Sequence, residues 1–410
     1  MVNALRGMKD TVDESSLKYS YFIENCTKIA LNYGFSLIET PILEETALFK
    51  RSVGESSDIV GKEMYQFSDK GGNDVCMRPE GTAGVVRAFI SAKFDKAGGI
   101  RRYFYHGPMF RYERPQKGRL RQFHQFGVET FGEPSVKEDA IIILMLKEML
   151  DFFGIGYELE INSLGCVECM PPYKESLVEF LDKTDGLCED CLRRKTTNPI
   201  RVLDCKNTTC KSLLHNAPML LDNLCSPCKD DFNELKSILT SFDVNYEINT
   251  KLVRGLDYYN KTAFEFVSDE IGAQNAVAGG GRYDRLVEFL DGRPTPGVGF
   301  AMGIERLMDL IVMPQAKQSG YYIGALCEEA LELVMKVVIE KRKSIVVHTN
   351  YAVKSLKAHL KASDKLAVKY FVCIGEDELK NKTVLVKDLE TKEEHTVTLS
   401  KFRNNIELWN

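Results

Sequence analysis

The stretch GPMFRYERPQKGRLRQFHQFGVETFG, Gly107 to Gly132, decides how the rest of the chain is read. It parses as two strands joined by the loop RPQKGRL. Period-two alternation sets Arg111 and Glu113 on one face of the first strand. On the second strand Phe123, Gln125, Gly127 and Glu129 share a face, while His124, Phe126 and Val128 take the other, which suits packing. A sheet face bearing Arg, Glu, Gln and Glu with one aromatic ring is a poor hydrophobic surface and a good floor for a polar site. The competing reading is a solvated face with cross-strand ion pairs. Arg114, Lys117, Arg119 and Arg121 crowd the loop, so it is either a local anion site, suited to the phosphates of ATP or RNA, or a solvated basic turn.

The composition bounds the classes open to this chain. Its 410 residues, 44% hydrophobic and 28% charged, suit a globular protein of two to three domains. A net charge of −5 excludes any global attraction to nucleic acid or to an anionic membrane, so such a partner must be held by local basic patches. The start, MVNALRGMKDTVDESSLKYS, lacks the apolar core of a signal peptide. No apolar run reaches the ~18 residues of a membrane span. A cytoplasmic protein is expected. Of twelve cysteines, eight come as close pairs: Cys166/Cys169, Cys188/Cys191, Cys205/Cys210 and Cys225/Cys228. In a reducing compartment such spacings favour metal or redox chemistry over disulfides. The isolated Cys26, Cys76, Cys327 and Cys373 read as inert buried thiols.

Four regions separate along the chain. Residues 1–163 mix amphipathic helix with short strands. Residues 164–249 are Cys-rich and helical in pattern. Residues 250–315 return to strands and Gly-rich turns, so the Cys-rich region reads as inserted into a domain that resumes after it. Residues 320–410 alternate strand (YYIGAL), helix (EEALELVMKVVIEKR), strand (SIVVHT), helix (VKSLKAHLKASDKL) and strand (YFVCIG), which indicates a small α/β domain with a largely parallel sheet.

Four further segments carry chemistry. In CMRPEGTAGVVRAF, Glu80 is placed to take a cationic amine and Thr82 to cap a helix starting near Ala83. In LVRGLDYYNKTAFEF, Arg254 enters a strand beside Asp257, Tyr258 and Tyr259; a structural ion pair is the bland alternative. In AVAGGGRYDRLVEFL, Gly279 to Gly281 end a strand and open a helix, and their missing Cβ atoms admit a ligand to the backbone or simply make a tight turn. In PGVGFAMGIERLMDLI, Arg306 lies off the apolar stripe Ile304, Leu307, Met308 and Ile311, near a helix start that disfavours a cation. It is either an exposed arginine or one held for an anion or a base.

Together these segments resemble the class II aminoacyl-tRNA synthetases, and among them the histidyl-tRNA synthetase family. FRYERPQKGRLRQFHQFGVETFG is similar to the second class motif, GVGFAMGIERL to the third, and YGFSLIETPILEETALF to the first, with Pro41 at the family's dimer interface. RGLDYY and AVAGGGRYD resemble the two signatures of the histidine-specific enzymes. The resemblance covers nearly the whole chain. It implies an α+β catalytic domain on a mainly antiparallel sheet, a homodimer, and ligation of L-histidine to tRNA(His) through an adenylate formed from ATP with Mg²⁺. Arg111 would hold the α-phosphate and Arg254 would sit between that phosphate and the histidine carboxylate. Glu80, Thr82 and Gln125 would surround the α-amino group, and Glu129, Tyr258 and Tyr259 the ring side of the pocket. Phe123 and Arg306 would sandwich adenine, with Glu113 at its amino group. Arg114 and Gln116 match positions that read the acceptor stem, and the C-terminal domain resembles an anticodon-binding module.

The eight paired thiols suffice for two four-thiolate zinc sites. Neighbouring pairs are unsuited to share an ion, because PPYKESLVEFLDK reads as a helix of about 13 residues, ~20 Å long. The expected pairing is therefore Cys166, Cys169, Cys205 and Cys210 in one site and Cys188, Cys191, Cys225 and Cys228 in the other. Two other functions remain in play: a non-catalytic synthetase-like regulatory or tRNA-sensing subunit, and a zinc-dependent RNA-binding protein.

Overall fold

The computed structural model describes every residue except 1, 55–56, 58, 117, 204, 206, 253–255, 272–275, 315–317 and 405–410. Lys117 and Arg254, singled out above, therefore lie outside the described residues. Two compact units are present, Met1–Val312 and Met313–Asn410. None of the described helices is long and apolar enough to cross a membrane.

The first unit is built on an eight-stranded sheet. Its order is Ser36–Leu37, Arg101–Phe110, Gln122–Phe131, Gly297–Gly303, Ala276–Arg282, Asn260–Val267, Glu158–Ser163 and Glu247–Ile248. The six inner strands pair antiparallel, and the two short edge strands pair parallel to their neighbours. The hairpin of residues 101–131 forms as its alternation requires: Phe126 and Val128 are wholly buried on one face. The first strand stops at Phe110, however, so Arg111 and Glu113 stand in the loop just beyond it. Gly279 to Gly281 lie within the strand Ala276–Arg282, and a helix begins only at Leu286. The backbone explains this: a Cβ on Gly280 would stand 2.1 Å from the Gly299 carbonyl oxygen, so the glycines let two strands approach rather than making a turn.

The Cys-rich segment carries helices Met170–Asp182, Glu189–Thr197, Thr208–Leu213 and Ser226–Ser241. Tyr173, Leu177, Leu181, Leu187, Val202 and Leu214 give it an apolar core of its own. The last of these helices packs on Val136–Phe152, beneath the main sheet, so the segment is part of the first compact unit. The sheet also reaches into it, since Glu247 and Ile248 pair with Glu160 and Ile161.

The second unit holds a five-stranded sheet. Strands Val347–Thr349, Tyr321–Ala325 and Tyr370–Ile374 are parallel; Thr383–Asp388 and Glu394–Thr398 add antiparallel to one edge. That last pair is missing from the sequence reading, which ended at the third strand.

Candidate active site

One face of the strand Gln122–Phe131 forms the floor of the site. A cavity of about 280 Å³ above it is lined by Arg111, Glu113, Phe123, Gln125, Glu265 and Arg306. Five of these were expected in one place from the sequence; Glu265, from the strand Asn260–Val267, was not. Arg111 is fixed by its backbone N–H to the Arg121 carbonyl at 2.9 Å and by Nε to the Pro79 carbonyl at 2.9 Å. Its guanidinium carbon lies 5.2 Å from the Phe123 ring centroid. Gln125 Oε1 is buried and has no hydrogen-bond partner among the described residues. A buried acceptor left unmade costs ~1–3 kcal/mol, so this atom points to a donor arriving with a ligand.

The loop that follows Arg111 closes over this cavity. Gln116 and Arg119 pair backbone to backbone, at 3.1 and 2.9 Å, making a tight turn with Arg114 and Gln116 exposed. Arg119 forms an ion pair with Glu113. Arg306 donates from Nε to the Gly118 carbonyl at 2.8 Å and from Nη1 to the Ala276 carbonyl at 2.7 Å. It stands on a helix of only Ile304–Met308, whose buried Ile304 and Leu307 hold it to the core as the apolar stripe suggested.

A second group of expected residues forms a buried polar cluster farther along the same strand. Thr82 donates to Glu129 Oε1 at 2.6 Å, and the Tyr283 hydroxyl donates to Glu129 Oε2. Burial drives the Glu129 carboxyl up to about 8; the bonds from Thr82 and Tyr283 only partly offset it, and the nearby Glu80 charge adds to the rise. Glu80 is also raised by burial. Its two oxygens accept from the backbone N–H groups of Thr82 at 2.7 Å and Ala83 at 2.8 Å. Glu80, not Thr82, therefore caps the helix Thr82–Ser91, which leaves the Thr82 hydroxyl for Glu129. The Tyr258 hydroxyl reaches Glu80 at 3.5 Å, and Tyr258 and Tyr259 rings lie 4.6 Å apart.

Tyr283 and Gly299 were not singled out by sequence reasoning. Gly299 faces Glu129 across the ladder, and a Cβ there would stand 2.0 Å from Glu129 Oε2. The carboxylate occupies the space that the glycine leaves. The sequence signal was membership of two quoted motifs: Tyr283 lies in AVAGGGRYD, just past the Gly-rich strand, and Gly299 in GVGFAMGIERL, in the small-residue run before Arg306.

The cysteines gather in two clusters, but not as expected. Cys166, Cys169, Cys225 and Cys228 form one; Cys188, Cys191, Cys205 and Cys210 form the other. The helix Met170–Asp182 does separate Cys166 from Cys188, as argued from its length. The error lay in the return path. After the helix Glu189–Thr197 a 3₁₀ turn, Pro199–Val202, brings Cys205 back to Cys188, while Ser226–Ser241 begins beside Cys166. Within each cluster the sulfurs lie within 4.8 Å of one another, at 3.7 Å for Cys166–Cys169 and Cys166–Cys225 and 3.8 Å for Cys188–Cys205. A tetrahedron with metal–sulfur bonds of ~2.3 Å has edges of ~3.8 Å. Backbone N–H groups of Cys225 and Cys188 donate to Cys169 Sγ at 3.2 Å and Cys210 Sγ at 3.3 Å, which favours thiolates. Either cluster could hold a metal ion.

Comparison with known proteins covers nearly the whole chain. Residues 7–307 match the family model described as histidyl-tRNA synthetase, and 309–408 match one described as an anticodon binding domain. A histidine–tRNA ligase from Sulfurimonas denitrificans is 65% identical over 97% of this chain and 99% of its own length. One from a Sulfurovum species is 61% identical over 98% of this chain and 100% of its own. The crystal structure of apo S. aureus histidyl-tRNA synthetase is 33% identical, with a TM-score of 0.83, over 98% of this chain and 99% of that one. A family match across most of the chain, with relatives this similar end to end, makes this chain a member of the histidyl-tRNA synthetase family.

Proposed function

We propose that the chain ligates L-histidine to tRNA(His), activating the amino acid with ATP and then transferring it. The observation that carries this is the continuity of one sheet face: Phe123 and Gln125 floor the cation-lined cavity, and Glu129 ends the same face in a buried polar pocket. Activation drives the histidine carboxylate onto the α-phosphate and expels pyrophosphate. Charge gathers on phosphorus, so fixed positive charge and alignment matter more than an acid or base. Arg111 holds the α-phosphate, and Arg254 bridges phosphate and carboxylate. Phe123 and Arg306 take adenine between them, with Glu113 at its amino group, which requires Arg119 to leave Glu113. Gln125, Glu80 and Thr82 receive the α-amino group. Glu129, Tyr258 and Tyr259 receive the imidazole, whose two nitrogens must both be paired for the site to reject other side chains. Magnesium bound with ATP would neutralise charge on the phosphates, and Glu265, on the cavity wall, would offer it the oxygen ligand such an ion prefers.

ATP–pyrophosphate exchange measured against each amino acid tests the reading: histidine alone should support it. Exchange with none would favour a non-catalytic regulatory or tRNA-sensing subunit, a reading for which no residue on this face gives a reason.

The exposed Arg114 and Gln116 act after activation, on the acceptor stem. Changing both to Ala should leave pyrophosphate exchange near the parent rate and slow tRNA charging at least tenfold. Equal loss in both assays would assign the loop to ATP instead. The chain works as a homodimer in the cytoplasm: Leu37, on the edge strand of the main sheet, and Ile42 and Leu43 beside Pro41 leave 40–51% of their surface exposed, the kind of apolar patch a second copy covers. The 164–249 segment serves as an inserted helical domain between catalytic segments 1–163 and 250–315. Its two four-thiolate clusters take structural zinc, closed to catalysis by four protein ligands. The α/β unit of residues 320–410 binds the anticodon.

A further inference from the structure

A second cavity, about 430 Å³, separates the Cys-rich segment from the catalytic sheet, with Asn198 and Arg201 on one wall and Asp257, Tyr258 and Tyr259 on the other. Polar contacts cross it. Asn198 Nδ2 donates to Asp257 Oδ1 at 3.1 Å, and Arg201 Nη2 lies 3.4 Å from the same oxygen. We infer that Asn198 and Arg201 are positioning residues for histidine activation: held in place by the Cys188/Cys191/Cys205/Cys210 cluster, they clamp Asp257 and so set where Tyr258 and Tyr259 stand. This rests on the functional reading above.

The clamp has a rigid support on each side. On the Cys-rich side, Asn198 closes the helix Glu189–Thr197, its N–H bonded to the Arg194 carbonyl at 2.8 Å, and Arg201 lies in the 3₁₀ turn that follows. Cys188 and Cys191 sit at the start of that helix and Cys205 just past the turn, so one four-cysteine cluster ties both ends of the segment. On the catalytic side, the Asp257 N–H bonds the Val53 carbonyl at 3.3 Å. A side chain at Gly54, whose φ is +93°, would approach Asp257 Oδ2 to 2.5 Å, so the carboxylate fits closely over that glycine. Asp257 is thus gripped between the Cys-rich segment and the backbone at Val53 and Gly54. The next residue, Tyr258, is buried with its hydroxyl toward Glu80, and its ring touches Tyr259 and Tyr283. Loss of the grip is transmitted to the amino acid pocket through one peptide bond, without touching the ATP cavity.

The test uses the full chain and reads KM for histidine, KM for ATP and kcat in pyrophosphate exchange, with metal content by mass spectrometry and folding by circular dichroism. The double variant N198A/R201A should keep about two zinc ions per chain and raise the histidine KM at least about tenfold, as expected for the loss of both bonds to the Asp257 carboxylate, with ATP KM unchanged. R201K keeps a cation within reach of Asp257 and should recover most of the loss of R201A. C205S should release one of the two ions and reproduce the histidine KM rise. A folded double variant with parental histidine KM overturns the inference. So does a rise shared equally by ATP, or a failure of R201K to improve on R201A. A C205S chain that loses its ion yet binds histidine normally removes the cluster from the clamp. Absence of histidine-dependent exchange in the parent sinks the functional reading, and the inference with it.

Discussion

Arg111→Ala is expected to fold and to lose ~10²–10³ in the rate of ATP–pyrophosphate exchange, the usual cost of deleting one preorganised charge aimed at a reacting centre. The expectation comes from how firmly this side chain is aimed. Its backbone N–H, its Nε and its guanidinium face are each engaged, by Arg121, Pro79 and Phe123, so little reorganisation is needed when a phosphate arrives. Exchange within a few-fold of the parent in a variant of normal circular dichroism would remove Arg111 from the α-phosphate. On the role proposed for Arg254 between phosphate and carboxylate, Arg254→Ala should behave in the same way.

Above about pH 8, where the Glu129 carboxyl is ionised, Glu129→Gln is expected to lose on the order of 10²-fold in kcat/KM for histidine, since an ionised acceptor for an imidazole N–H makes a bond roughly twice as strong as an amide does. The same variant should change the pH dependence of stability, and the sign follows from the carboxyl's raised value. Between its ordinary 4.5 and about 8 the folded chain holds a proton on Glu129 that the unfolded chain has released. Stability contributed by that proton is complete below about pH 4.5 and is lost as pH rises through about 8. Thermal midpoints should therefore fall less steeply over this window in Glu129→Gln, which mimics the protonated acid. Identical slopes in parent and variant would show that the carboxyl is not the group titrating.

What was legible in the sequence was what is local. The hairpin of residues 101–131 and its polar face follow from alternation within one stretch, and Arg111, Phe123, Gln125 and Glu129 came with it. Residues that reach the site across non-local pairings were read less well. Tyr283 and Gly299 meet Glu129 only because the strand Gly297–Gly303 pairs with Gln122–Phe131. The helix Met170–Asp182 was correctly judged too long to bring Cys166 to Cys188, but the cysteine pairing turned on a four-residue 3₁₀ turn, Pro199–Val202, whose direction no periodicity encodes. Glu80 as the cap of its own helix was missed because Thr82 is the commoner capping residue, and here the glutamate lies two residues earlier and reaches forward. The strands Thr383–Asp388 and Glu394–Thr398 were missed because their solvent faces carry lysine, glutamate and threonine, which dilutes the apolar signal at a sheet edge.

The order of the main sheet has a consequence for biosynthesis. Gln122–Phe131 acquires its inner neighbour only when Gly297–Gly303 exists, so during translation this strand waits with one edge unpaired. At roughly 5–20 residues per second the wait is on the order of ten seconds. That edge, with Phe126, Val128 and Phe131 beside it, is a template for pairing with other nascent chains. Chains that terminate early in the Gly-rich region should consequently aggregate rather than persist as inactive monomers, and folding in the cell should depend on chaperones that shield an open sheet until the last strands are made.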